Sequence, residues 1–159
     1  MAQTVHLFLK ANGKDVKGES TQTSLGREGS IECISYEQAV KTAREEGTNM
    51  VTGRRQHQPI KIVKRIDQSS PLIMKALTEN QKVEAVFKFY RPNPSGDGTT
   101  EQFYTVQLKE ANVSAVKQEV PDTIAKDTAG LPPLEQIEFV FKEIIWRFEK
   151  GGVEHPDKW

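Results

Sequence analysis

The sequence predicts a mainly β protein: a closed or nearly closed antiparallel β-barrel of two packed sheets with one short flanking α-helix. Three observations carry this. Short runs of alternating apolar and polar residues recur along the chain between Gly-, Pro- and Asn-rich breaks, and their number, roughly eight to ten, suits a barrel or sandwich. Only Ser70-Pro71 gives a clear helix start. The tail, LEQIEFVFKEIIWRF from Leu134, puts Ile137, Phe139 and Phe141 on one side of a pleat and Ile144, Trp146 and Phe148 on the other. Such a run needs apolar partners on both sides. Its change of phase between Glu143 and Ile144 points to a β-bulge or to a strand buried on two faces, both common where a sheet curls into a barrel.

Taken in order, Val5, Leu7 and Leu9 alternate with His6, Phe8 and Lys10, and Asn12-Gly13 supplies two residues that tolerate positive φ, so a hairpin runs to about Gly18. Ile31, Cys33 and Ser35 alternate with Glu32, Ile34 and Tyr36 in a third strand. From Glu37 to Gln58 no strand is legible. Helix formers dominate EQAVKTAREEG, but the face of Tyr36, Ala39, Val40 and Ala43 is small, so residues 37–46 are open between a short helix and an extended loop. Ile60, Ile62 and Ile66 mark the next strand, with Lys61, Val63 and Arg65 on its other face. Ser70 as N-cap and Pro71 as first helical residue then open a helix of two or three turns carrying Leu72, Ile73, Ala76 and Leu77. Val83–Tyr90, Phe103–Leu108 and Asn112–Val120 read as strands. Pro92–Gly98 and Pro121–Pro133 read as loops, from their turn residues.

At 159 residues the chain is expected to form one domain over 1–159. Lys plus Arg and Asp plus Glu number 22 each, so no global field recruits nucleic acid or an acidic surface. The lone cysteine, Cys33, cannot form an internal disulfide and reads as a small strand residue. No signal-peptide pattern or membrane-length apolar run occurs, so the protein is expected to begin in the cytosol with no membrane span.

No catalytic constellation is legible. His6, His57 and His155 are far apart in sequence, with no cysteine or paired carboxylate at ligand spacing, so no catalytic residue, metal site or cofactor is expected. GREGS lacks the spacing and the Lys-Ser/Thr ending of a phosphate loop. Arg54, Arg55, Lys61, Lys64 and Arg65, with His57 among them, hint at an anionic partner. Lys61 and Arg65, however, lie opposite Ile60 and Ile62 as on any half-buried strand, and no aromatics interleave for base stacking. No nucleic-acid partner is expected.

Four ordered motifs add a resemblance. Arg27-Glu28-Gly29-Ser30-Ile31-Glu32, Thr52-Gly53-x-Arg55-x-His57-x-Pro59, Ile66-Asp67-x-Ser69-Ser70-Pro71, and the closing run with its Gly151-Gly152 turn and His155-x-Asp157-x-Trp159 resemble the haemolysin-coregulated protein (Hcp) family of type VI secretion tube proteins over nearly the whole chain. The resemblance implies six-membered rings stacked into a hollow tube, a lumen that carries and chaperones effector proteins, a spike protein at the ring face, and a contractile sheath and baseplate outside. It also implies release from the cytoplasm to the exterior without a signal peptide.

The family counterpart of Glu37–Gln58 is a protruding loop, and this segment is expected to govern stacking of one ring on the next. Glu45 and Glu46 near one end and Arg54 and Arg55 near the other are expected to pair across the ring junction. The rivals are a phage-type tail tube subunit, a small secreted enzyme or toxin on the same scaffold, and a monomeric ligand-binding barrel. A toxic C-terminal extension is not expected, because the matched motif ends at Trp159.

Overall fold

The computed structural model describes residues 3–158, so Trp159 of the last motif lies outside the described residues. β1 (Thr4–Ala11) and β2 (Lys14–Val16) form the expected hairpin, with Asn12 and Gly13 both at positive φ. They are followed by β3 (Ile31–Glu37), β4 (Val40–Lys41), β5 (Gln56–His57) and β6 (Ile60–Arg65), then helix α1 (Ser70–Thr78). β7 (Val83–Pro92), β8 (Thr100–Glu119), β9 (Leu134–Val140), β10 (Glu143–Phe148) and β11 (Val153–Lys158) complete the order.

One antiparallel ladder runs β8-β7-β1-β3-β6-β9, and β9 pairs back onto β8, so the ring of strands closes. The two expected sheets are thus two halves of one nine-stranded sheet. Its interior is set by the pleat: Leu7 and Leu9, Ile31 and Cys33, Ile60 and Ile62, Ala85 and Phe87, Val106 and Leu108, Ile137 and Phe139 all point inward and are buried. Ile73 and Ala76 of α1 join that core from beside β1 and β8. Among the described residues, closure leaves this sheet two edges, the three-residue β2 and the C-terminal β11, and Pro156 blunts the latter.

Four expectations are corrected by packing. The strands expected at Phe103–Leu108 and Asn112–Val120 are one twenty-residue strand, β8, whose phase slips at Glu110, a non-glycine residue held at φ 50°. The phase change in the tail is neither a bulge within one strand nor two-faced burial. β9 and β10 lie end to end along the same edge of β8, and the ladder is interrupted at Phe141-Lys142, opposite Glu110-Ala111. Both breaks in the pattern are therefore one event seen from two strands.

On β6 the third inward position belongs to Lys64, while Ile66 lies beyond the strand and is exposed. Helix α1 starts one residue earlier than its motif suggests. Ser69 is the N-cap and Ser70 the first helical residue, whose Oγ accepts the Asp67 N–H at 3.0 Å and lies 2.8 Å from Glu135 Oε1. Leu72 stays exposed on the outer face of the helix.

Candidate functional site

The segment from Glu37 to Gln58 is not a helix but extended chain, and its two arms are paired. It is a two-stranded ribbon: β4 pairs with β5, Arg44 bridges Val51, and Thr52 and Glu45 N–H groups donate to the Ala43 and Met50 carbonyls at 2.9 and 2.7 Å. The turn runs through Gly47 and Asn49, both at positive φ. Local helix propensity loses because Val40 and Ala43 offer too small an apolar face to dock a helix, whereas pairing with residues 51–58 satisfies the backbone without one. Residues 39–56 are exposed throughout. An isolated ribbon of this kind is marginal in water, so its root must be held.

The root is held by β10 and β11. Asp157 Oδ1 accepts Arg55 Nη2 at 2.7 Å, and Asp157 Oδ2 accepts Arg55 Nε and His57 Nε2, each at 2.7 Å. Arg55 also donates to the Lys158 carbonyl at 3.0 Å. On the outgoing strand Trp146 Nε1 donates to Gln38 Oε1 at 3.2 Å. The Trp146 ring stacks on His155 (centroids 5.9 Å, 1° apart) and beside His57 (6.2 Å), while Phe141 meets the His57 ring edge-on. Two histidines that are distant in sequence therefore share one tryptophan.

Hydrogen bonding from Arg55, against a smaller opposing effect of desolvation and with further help from His57, lowers the Asp157 carboxyl from 3.8 to about 2. An ionised carboxylate only accepts, so His57 Nε2 carries its proton in this contact. Because the docked state depresses this pKa, its contribution is complete above the ordinary aspartate value and is lost as pH falls through about 2. Amide exchange in the ribbon should accordingly stay constant from neutral pH down to about 4, after correction for intrinsic rates, and accelerate only in stronger acid. Acceleration between pH 7 and 5 would show that another group holds the root.

Of the four residues expected at the ring junction, Glu45 and Glu46 sit by the ribbon turn, where Glu45 accepts the Thr48 hydroxyl at 3.0 Å, and Arg54 and Arg55 lie on the returning strand. Arg54 and Glu46 are exposed. Arg55 is already bidentate to Asp157 in its own chain, which sets it apart from the expected inter-ring pair.

Elsewhere, Cys33 is buried, and burial pushes its thiol up to about 12, far from a reactive thiolate. His6 is buried 2.9 Å from Ser30 Oγ, and burial first, then the Arg27 charge, holds it below its usual range. No group of three or more His, Cys, Asp or Glu side chains is placed to hold a metal among the described residues. No helix among them is long and apolar enough to cross a membrane.

Sequence reasoning quoted both halves of this root, Arg55-x-His57 and His155-x-Asp157, without joining them. Their i, i+2 spacing was the available signal, since it sends both members of each pair to one side of a strand.

A family model described as "Type VI secretion system effector, Hcp" matches residues 8–148. The major exported protein of Pseudomonas aeruginosa is 30% identical over 135 residues, covering 84% of this chain and 77% of that protein. Among solved structures, a mutant of Hcp1 from E. coli EAEC 042 superposes with a TM-score of 0.83 at 32% identity, covering 98% of each chain. Hcp3 from Pseudomonas aeruginosa gives 0.76 at 21% identity over 99% of each chain, which shows the shared fold.

Proposed function

We propose, from the premise that this chain belongs to the Hcp family of type VI secretion tube proteins, a structural and not an enzymatic family, that residues 1–159 act as one tube domain. Six copies close into a ring, rings stack into a hollow tube, and the lumen carries and chaperones effectors. A spike protein caps the ring face, and the contractile sheath and baseplate surround the tube. The protein waits in the cytoplasm and is exported on firing.

The observation that supports this reading best is the ribbon of residues 39–56, exposed on both faces and projecting from a closed barrel that has no need of it. A ribbon that contributes no residue to the core of its own chain is suited to burying surface in another. Two free edges, β2 near the N-terminus and β11 at the C-terminus, are suited to head-to-tail contacts, the kind that close rings.

Negative-stain imaging with a solution mass tests the proposal. Rings with a central hole are expected, and a strictly monomeric mass at high concentration overturns it. Between stacked rings, Arg54 and Glu46 are left as the cross-junction pair. Each exposed pair contributes only about 0–1 kcal/mol, but a ring repeats it in every subunit. Arg54→Glu should keep melting temperature and ring mass while shortening tubes, and Glu46→Lys in the same chain should restore them. Tubes of normal length from Arg54→Glu alone would remove this pair from the junction.

A further inference from the structure

We infer that Asp157 is a positioning residue for tube assembly, fixing the direction in which the ribbon leaves the barrel by acting through Arg55 and His57. The inference rests on the tube reading above. The ribbon has no core of its own, and its two strands leave the barrel as the continuations of β3 and β6. A ribbon joined only by its two chain ends pivots about them.

The root contacts remove that freedom, and both anchoring strands lie outside the closed ring, since β10 pairs with the part of β8 that β9 leaves open and β11 pairs with β10. Trp146 of β10 holds the outgoing strand through Gln38, and Asp157 of β11 holds the returning strand through Arg55 and His57. One carboxylate thus receives three of these bonds. It spans about a hundred residues of sequence and links two motifs that are otherwise unrelated in position.

The consequence is cooperative. Each ring junction engages several ribbons at once, and multivalent contact is effective only when every arm already points at its site. Without Asp157 the barrel survives, but the ribbon pairing opens more often from its root, the arm samples a wider cone and the junction weakens with every subunit.

The experiment compares the wild-type protein with Asp157→Asn, which keeps the shape and an acceptor oxygen but removes the charge, and with Arg55→Gln, which alters only the partly exposed partner. Ring mass, hydrogen exchange and tube length are read together. Both variants should keep ring mass and the exchange protection of β1, β7 and β9, while Thr52 and Gln58 amides, bonded to Ala43 and Ala39, exchange faster. The concentration needed for tubes should rise by about tenfold or more.

Faster ribbon exchange with tubes at the wild-type concentration overturns the inference, because orientation would then not matter. Lost tubes with unchanged ribbon exchange also overturn it. If Asp157→Asn fails to fold, Arg55→Gln alone decides by the same criteria. Absence of rings and tubes from the wild-type protein overturns the tube reading itself.

Discussion

Glu135→Leu should destabilise the subunit by about 3–5 kcal/mol, because it leaves the Lys64 ammonium buried without its main partner. Lys64 and Glu135 are fully enclosed between β6 and β9, paired in register. Lys64 Nζ donates to Glu135 and also reaches the Arg65 carbonyl at 2.9 Å and Asp67 Oδ1 at 3.0 Å, and Glu135 accepts in addition from Gln118 at 2.9 Å.

Since Asp67 remains, the loss should fall in the lower half of that range. A fall of this size moves the melting temperature of a chain of this length by about 6–16 °C. Lys64→Met combined with Glu135→Leu should recover most of it, since replacing a buried pair by apolar residues of similar volume is often neutral or stabilising. Denaturation has to be compared at one protein concentration, because assembly adds to apparent stability. A single Glu135→Leu variant within about 1 kcal/mol of wild type would mean that water reaches Lys64.

Phe139→Ala should cost about 3–5 kcal/mol and abolish rings as well. Phe139 is fully buried on β9, opposite Ile60 on one side and Val113 on the other, and its ring meets Phe87 across the interior with centroids 5.9 Å apart. β9 is the strand that closes the barrel between β6 and β8, so a cavity there loosens the closure seam as well as the core. Urea denaturation and the solution mass of the variant check both parts. A loss below about 1 kcal/mol would show that neighbouring side chains collapse into the space.

Legibility differed by element for physical reasons. The Asn12-Gly13 hairpin was readable because two consecutive positive φ values are a local demand that few residue pairs meet. The strands around Leu7, Ile31, Ile62 and Phe87 were readable because a pleat writes burial directly into alternation. The helix was readable to within one residue, and its start shifted because Ser70 Oγ is drawn to Asp67 and Glu135 instead of capping the helix. The ribbon could only be read as a non-strand, since exposed on both faces it carries no alternation at all.

Local patterning was enough for a β-barrel with one flanking helix and for the places where the chain turns, and four ordered motifs were enough for the Hcp family. Those properties depend on neighbours within a few residues, or on the order of short motifs. Tertiary structure alone decided that β9 and β10 share one edge of β8, so that the slip at Glu110 and the break at Phe141 coincide. It also decided that Lys64 turns inward because Glu135, Asp67 and Ser70 surround it, and that Asp157 reaches back to Arg55 and His57. Each of these is settled by satisfying a charge or a ladder against residues far away in sequence, and no local pattern records which distant partner will be there.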